Sequence, residues 1–422
     1  MAHIRYKELL ARLSWSPQQL AHYDDVCLHS VLEHAVQNVP FYEKHFRQHG
    51  LGVRDLRYLK DLTLLPLTSK SDLKNDSESF LARGTVRKNC MNLAGSAESK
   101  QGLRVYLSAE ECEVVRGIEQ RVVKMNGLKG RYSSLMVMPP GQAPPPLNWC
   151  ARLFRGRRDY LPTTETPAEQ LRVLHESQPA CVGAPLWILN RLAQEIRKGK
   201  SLGFSPRLLL CWGEAIRQSD RETLSETFGL APTDVYQVWE FGTLATQCPK
   251  RDGLHVNADF VHVEIVRNGR EVGPGEIGEV VVTTLANRTM PLIRHRVGDV
   301  ASWKKDPCAC GWQGPTLEGV HGQLEQAIVL PSGAFVSPRR FEECLDQFTN
   351  VVAYRAIQRE PRMVEVMVVP GTLFQERTGK MVREKCIEVF NSQMGVEVKV
   401  VNELPLMTGH RRRSVVCKLP HV

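Results

Sequence analysis

The chain has 422 residues, 42% of them apolar and 24% charged, with a formal net charge of +9. That composition excludes a mainly disordered, collagen-like or coiled-coil protein. The length implies two or three domains and a core that needs no covalent staples. No apolar run is long enough for a spanning helix. The first residues, Met1 to Lys7, lack a hydrophobic signal core. A cytoplasmic protein without a membrane partner is the expectation. The positive charge is diffuse and suits an anionic ligand such as a nucleotide. Its basic residues do not cluster with interleaved aromatics, so no nucleic-acid partner is expected. Twelve cysteines are scattered along the chain; most read as reduced, buried, small apolar residues.

Leu28, Val31, Leu32, Ala35 and Val36 recur at helical spacing, and Pro40 closes the pattern. Residues 103–107 read as a strand. Pro139-Pro140-Gly141 and Pro144-Pro145-Pro146 mark a loop. Thr166-Pro167-Ala168-Glu169 predicts a helix over 167–177, with Thr166 as cap, Pro167 in the first position and Glu169 completing a capping box. A strand near 180–182, a helix near 186–198, a strand at Leu208–Trp212, a helix over 219–228 and a strand near Val235 follow. This alternation predicts an α/β sheet with parallel stretches. From about residue 253 the pattern alternates with glycine punctuation, which predicts antiparallel β structure. The last part reads as a small α+β domain: a helix from Ser337-Pro338 to about 348, a strand at Met363–Val369, a helix over 380–393 and a strand at 396–401. The boundary falls near Gly322–Ala327.

Several segments in order resemble the adenylate-forming superfamily, in its phenylacetate-CoA ligase-like branch. They are Val39-Pro40-Phe41-Tyr42, Leu65-Pro66-Leu67-Thr68-Ser69-Lys70, Trp212-Gly213-Glu214, Tyr236–Gly242, Pro291–Asp299 and Thr408-Gly409-His410-Arg411. The resemblance implies a large domain over 1–322, a small mobile domain over 327–422 and a hinge near Glu325. It implies joining of a carboxylate to ATP as an acyl-adenylate, with Mg²⁺, and transfer to CoA, a carrier-protein thiol or an amine. A homodimer is a further expectation from that branch.

Roles carry over residue by residue. Asp299 matches the acid that holds the ribose hydroxyls. Glu240 matches the Mg²⁺ ligand. Tyr236 would stack on adenine, and Gly213-Glu214 would line its pocket. Other positions depart from the pattern. The phosphate loop keeps Gly95 and Ser96 but carries Ala97 and Glu98 where a threonine and a glycine are expected. Glu98 would repel triphosphate, and Lys100 would offset part of that. Trp239 replaces a small hydroxyl residue, and Gln323 replaces an arginine. His410 replaces the lysine that bridges carboxylate and α-phosphate; it and Glu240 are the candidate catalytic residues. The alternative reading is therefore an impaired or inactive ligase homologue that binds an aromatic acid or a partner protein.

Cys308-Ala309-Cys310-Gly311 forms a tight knuckle, and Cys248 and His255 follow a Cys-x6-His spacing. Related ligases carry a similar set, which implies a structural Zn²⁺ with no open position. Relatives act on aryl or arylacetic acids, so an aromatic carboxylate is the implied substrate. Candidate pocket residues are Tyr132, Met136, Met138, Trp149, Trp187 and Trp239. The altered ATP motifs are similar to those of an atypical member of phenazine antibiotic pathways, of the D-alanylgriseoluteate type, which implies a phenazine carboxylate as one candidate acid.

Overall fold

The computed structural model describes residues 6–56, 59–94, 103–140, 156–199, 202–404 and 414–419. Its contacts divide the chain into two units: residues 1–263, 282–297 and 304–318, and residues 264–281, 298–303 and 319–422.

In the first unit five parallel strands lie side by side in the order Arg158–Pro162, Ser134–Met138, Cys181–Pro185, Leu208–Trp212 and Thr233–Val238. Antiparallel strands Gly242–Thr246, Leu254–Val256 and the start of Thr316–Gln323 continue the sheet. The parallel strands are covered on both faces, which is why they read as continuous apolar runs. Along Leu208–Trp212, Leu209 and Cys211 join a core with the helices Pro167–Ser177, Leu186–Arg197 and Gln218–Phe228. Leu208, Leu210 and Trp212 point the other way, onto Val122 and Val123 of the helix Ala109–Met125. The mixed α/β class expected from the sequence is therefore present.

Local signals account for the element ends. Thr166 Oγ1 accepts from Glu169 N at 3.2 Å, capping the helix Pro167–Ser177 as expected. Glu169 does not close a capping box. Its carboxylate pairs with Arg172 at 2.8 Å on the exposed helix face instead. The N-terminal helix runs Pro17–Asn38, and Pro40 opens a second helix, Pro40–Gln48, at its tolerated first position. Arg104–Leu107 pairs antiparallel with Met91–Ala94, so the arms flanking the expected phosphate loop are in place; residues 95–102 lie outside the described residues.

Gly183 sits where a Cβ would lie 2.4 Å from Met136 Sδ and 2.8 Å from the Trp212 ring. Only glycine lets both side chains close over that strand. Gly183→Ala should lower stability by about 1–3 kcal/mol through overpacking, read as a lower denaturant midpoint; an unchanged midpoint would contradict this packing.

In the second unit Gly395–Val400, Met363–Pro370, Val351–Glu360 and Val415–Cys417 form a four-stranded sheet, antiparallel only at its central pair. The helices Pro338–Leu345 and Glu376–Val389 cover one face through Phe341, Leu345, Val382 and Phe390. Ser337 caps the first by accepting from Arg340 N at 3.2 Å. That helix stops three residues earlier than the expected 348. The hairpin Val261–Arg267 to Arg270–Glu271 turns through Asn268 and Gly269, both with positive φ, as a two-residue turn requires. Among the described residues no helix is long and apolar enough to cross a membrane.

Candidate active site and metal centre

In an open α/β sheet, ligands bind beyond the carboxyl ends of the parallel strands. Here those ends carry the singled-out residues of the first unit. Trp212 runs into Gly213, whose φ of 89° makes the sharp exit, and the half-buried Glu214 follows. Tyr236 is buried near the end of Thr233–Val238. Val238 pairs with Gly242, so Trp239, Glu240 and Phe241 form the connecting loop. Within it Trp239 is 41% exposed while Glu240 is 5% exposed. A carboxylate that deeply buried needs a partner. Lys70 Nζ supplies one, 3.5 Å from Glu240 Oε1.

The position of Lys70 follows from local chemistry. Ser69 N donates to Asp72 Oδ2 at 2.8 Å, and Asp72 N donates to Ser69 Oγ at 3.4 Å. This capping box starts the helix Lys70–Asn75. Just before it, Thr68 is clamped to a distant segment: Thr68 N donates to Arg294 O at 2.9 Å, and Arg296 N donates to Thr68 O at 2.8 Å. Ile293 N donates to Tyr42 Oη at 2.8 Å. Three of the segments that carry the resemblance thus meet, and they set Lys70 against Glu240. Sequence reasoning assigned no role to Thr68, Lys70 or His295. The available signal was the Ser69-x-x-Asp72 box, which announces a fixed helix start.

His295 is fully buried, and burial pushes its pKa down to about 4, against an opposing pull from Glu240. Thr68 Oγ1 donates to Ile293 O at 3.0 Å, so at 3.3 Å it accepts from His295 Nδ1. Nε2 has no partner among the described residues. Because the folded pKa lies below the ~6.5 of an unfolded histidine, the unfolded state binds more protons. The cost is absent above pH ~6.5 and grows toward pH ~4, reaching on the order of 3 kcal/mol. His295→Gln should flatten the acid limb of stability between those limits; an unchanged limb in a pH series of melts would contradict it.

Tyr132, Met136 and Met138 share one apolar cluster with Trp212. Trp187 packs elsewhere, against the core under the helix Leu186–Arg197, with Arg191 over its ring at 5.3 Å. In the second unit Asp299 is half-buried on the strand His295–Trp303. Gln323 ends the strand Thr316–Gln323 and accepts from Gln326 Nε2 at 3.0 Å. Glu325 is exposed in the following turn, Leu324–Gln326. Gly95, Ser96, Ala97, Glu98, Lys100, Trp149 and His410 lie outside the described residues.

Cys248, His255, Cys308 and Cys310 converge, with all four donor atoms within 4.8 Å of one another. Cys248 Sγ lies 3.6 Å from Cys308 Sγ, and Cys310 Sγ lies 3.7 Å from His255 Nε2. Thiolates ~2.3 Å from a tetrahedral zinc are ~3.8 Å apart. Gly311, at φ 88°, turns the knuckle, and Trp312 N donates to Cys310 Sγ at 3.4 Å. His255 is held by the strand Leu254–Val256 and stacks on Trp312 at 5.5 Å and 8°. Burial pushes its pKa to about 4, keeping it neutral as a ligand must be. Three sulfurs and one imidazole nitrogen, with Cys310 on the exposed side, form a donor set that fits Zn²⁺.

No family model matches the chain. It is 23% identical over 433 residues to the phenylacetate-coenzyme A ligase of Thermus thermophilus, covering 92% of this chain and 94% of the relative. It is 25% identical to that of Escherichia coli, over 76% of this chain and 74% of the relative. Among solved structures, a 2-hydroxyisobutyryl-CoA ligase in complex with 2-HIB-AMP and CoA superposes with a TM-score of 0.74 at 18% identity, over 98% of this chain and 91% of the other. ATP-bound MatB from Rhodopseudomonas palustris gives 0.53 at 16% identity, over 79% and 68%. In sequence the chain is similar along nearly its whole length to phenylacetate-CoA ligases, and its fold is that of the acyl-CoA ligase structure.

Proposed function

We propose that the protein activates an aromatic carboxylic acid with ATP and passes the acyl group to a thiol, CoA first among them, or to an amine. One observation carries this reading: a buried carboxylate, Glu240, paired with Lys70 at the carboxyl ends of the parallel strands. In the reaction a substrate carboxylate oxygen attacks the α-phosphorus, the bond to pyrophosphate breaks, and the acyl-adenylate is left. Tyr236 and Gly213-Glu214 would border the base, and Asp299 and Gln323 the ribose. Lys70, held by its capping box, would draw in the incoming anions. Mg²⁺ held by Glu240 would supply charge neutralisation at the phosphates. Glu240 is a hard oxygen donor shielded from bulk water, which suits that ion. Tyr132, Met136 and Met138 would offer the apolar surface for an aryl group, and a phenazine carboxylate is one candidate acid. Residues 1–322 and 327–422 would act as large and small domains turning about Glu325, and His410 would approach the α-phosphate from the small domain. Zn²⁺ at Cys248, His255, Cys308 and Cys310 would be structural. Soluble cytoplasmic action fits such a reaction.

The second reading is a ligase homologue that binds an aromatic acid or a partner protein without turnover. It is favoured by the large, exposed Trp239 beside Glu240, where a small hydroxyl residue would meet phosphate. Calorimetric titration with Mg·ATP, alone and with a panel of aromatic acids, separates the two. Micromolar binding followed by acid-dependent pyrophosphate release is expected. Folded protein that binds no nucleotide under either condition would leave only the second reading.

A further inference from the structure

Two buried donors near the metal centre lack acceptors. His255 Nδ1 and Arg121 Nε have no hydrogen-bond partner among the described residues. Both side chains line one small cavity, together with Leu13, Val122, Asn257 and Trp312. Its free space is about that of a single water. Arg121 is 2% exposed. It forks onto Asp259, with Nη1 to Oδ2 at 2.9 Å and Nη2 to Oδ1 at 2.8 Å. It also donates to Asn257 Oδ1 at 2.6 Å and to Leu9 O at 3.2 Å. Arg12 Nη1 approaches the same carboxylate at 3.4 Å. Two guanidiniums therefore share one buried carboxylate, which leaves a surplus positive charge.

The metal centre has the complementary surplus. A divalent zinc with three thiolates and a neutral imidazole carries one net negative charge. Ligation through His255 Nε2, the nitrogen that faces Cys310, fixes the proton on Nδ1 and makes it a donor toward the cavity. We infer that Arg12, Arg121 and Asp259 form the outer shell of this metal centre, linked to it by one ordered water that accepts from His255 Nδ1–H and Arg121 Nε–H. The inference rests on the metal reading proposed above. Arg121 is a positioning residue: it acts on the metal through the water and His255. Leu9 O is tied to Arg121, so binding of metal and order in the helix Tyr6–Ala11 are coupled, and the coupling is reciprocal.

Zinc content of the unmodified protein is measured first; a zinc-free protein after growth and refolding with zinc overturns the metal reading and this inference with it. Zinc affinity is then measured by chelator competition. Arg121→Met should weaken it about 10- to 100-fold, the usual effect of losing an outer-shell partner. Arg12→Met should weaken it about threefold or more through charge alone. Arg172→Met, on an exposed face, should leave it unchanged. If Arg121→Met does not fold, Arg12→Met decides, along with hydrogen exchange of the unmodified protein. Amides of residues 8–14 should exchange more slowly with zinc than without. A folded Arg121→Met that holds zinc as tightly as the unmodified protein, or an Arg12→Met that does so where Arg121→Met is unfolded, overturns the inference. Equal exchange with and without zinc, or a dry cavity in a high-resolution crystal structure, does the same.

Discussion

Cys308→Ser should take bound zinc from about one atom per chain to near none and cost on the order of 5 kcal/mol of stability. The size follows from what the metal holds together. Cys248 and Cys308 are buried, and their sulfurs lie 3.6 Å apart without a disulfide. Burial and the neighbouring thiols push the Cys310 thiol up to about 12, so without a cation this sulfur stays protonated. A cation reverses this, because it binds thiolates and releases their protons. Free zinc-finger peptides gain ~10–16 kcal/mol from the metal because they have no other core. Here strands Leu254–Val256 and Thr316–Gln323 pair beside the site, so the expected cost is smaller. Elemental analysis and denaturant melts are the measurements, with Cys90→Ser, outside the cluster, as the control. Zinc content equal to the unmodified protein in Cys308→Ser would sink the assignment.

Half of the Cys248, His255, Cys308 and Cys310 cluster was legible locally, as a knuckle of two cysteines separated by one residue and followed by a glycine that takes positive φ, while Cys248 and His255 were joined to it through the resemblance. The helices Pro167–Ser177 and Leu186–Arg197 and the strand Leu208–Trp212 were legible for the same reason, since cap, proline and apolar run lie within one short window. What the sequence hid was long-range. Thr68 and Arg294 are joined by a backbone hydrogen bond across 226 positions, and no local pattern announces it. The ion pair of Lys70 with Glu240 depends on that clamp. The same holds for Arg121 and Asp259: an arginine on an amphipathic helix reads as solvent-facing until its partner from a distant loop is seen. Glu169 failed as a capping-box member because Arg172, one turn on, offered its carboxylate a charged partner, and charge-assisted bonds are stronger than a bond to a backbone N–H. The helix ended early at Leu345 because the chain goes on in tight turns, Phe348 N donating to Leu345 O and Val351 N to Phe348 O, instead of further helical bonds.

Glu240→Gln should cut acid-dependent pyrophosphate release by about 10²–10³-fold while the aromatic acid still binds. The substitution keeps size and one acceptor oxygen but removes the charge that a divalent ion needs. Lys70→Met tests the same site from the other side. The Lys70 ammonium, 3.5 Å from Glu240 Oε1, competes with a divalent ion for that carboxylate. Two unit charges at ~4 Å interact by ~4 kcal/mol at an effective dielectric of ~20. The Lys70 side chain is 43% exposed, so solvent screening leaves only a fraction of that. Without nucleotide, Lys70→Met should therefore bind Mn²⁺, a spectroscopic stand-in for Mg²⁺, about three- to tenfold more tightly, and Glu240→Gln should bind it more weakly. With ATP present the sign reverses for Lys70→Met. The phosphates then bring four negative charges, the ammonium turns from competitor to counter-charge, and its loss should raise the KM for ATP about tenfold. Paramagnetic Mn²⁺ titrations with and without ATP read both limbs. If the two variants shift Mn²⁺ binding in the same direction without nucleotide, Glu240 is not the ion's ligand, and the buried pair is a structural ion pair like that of Arg121 with Asp259.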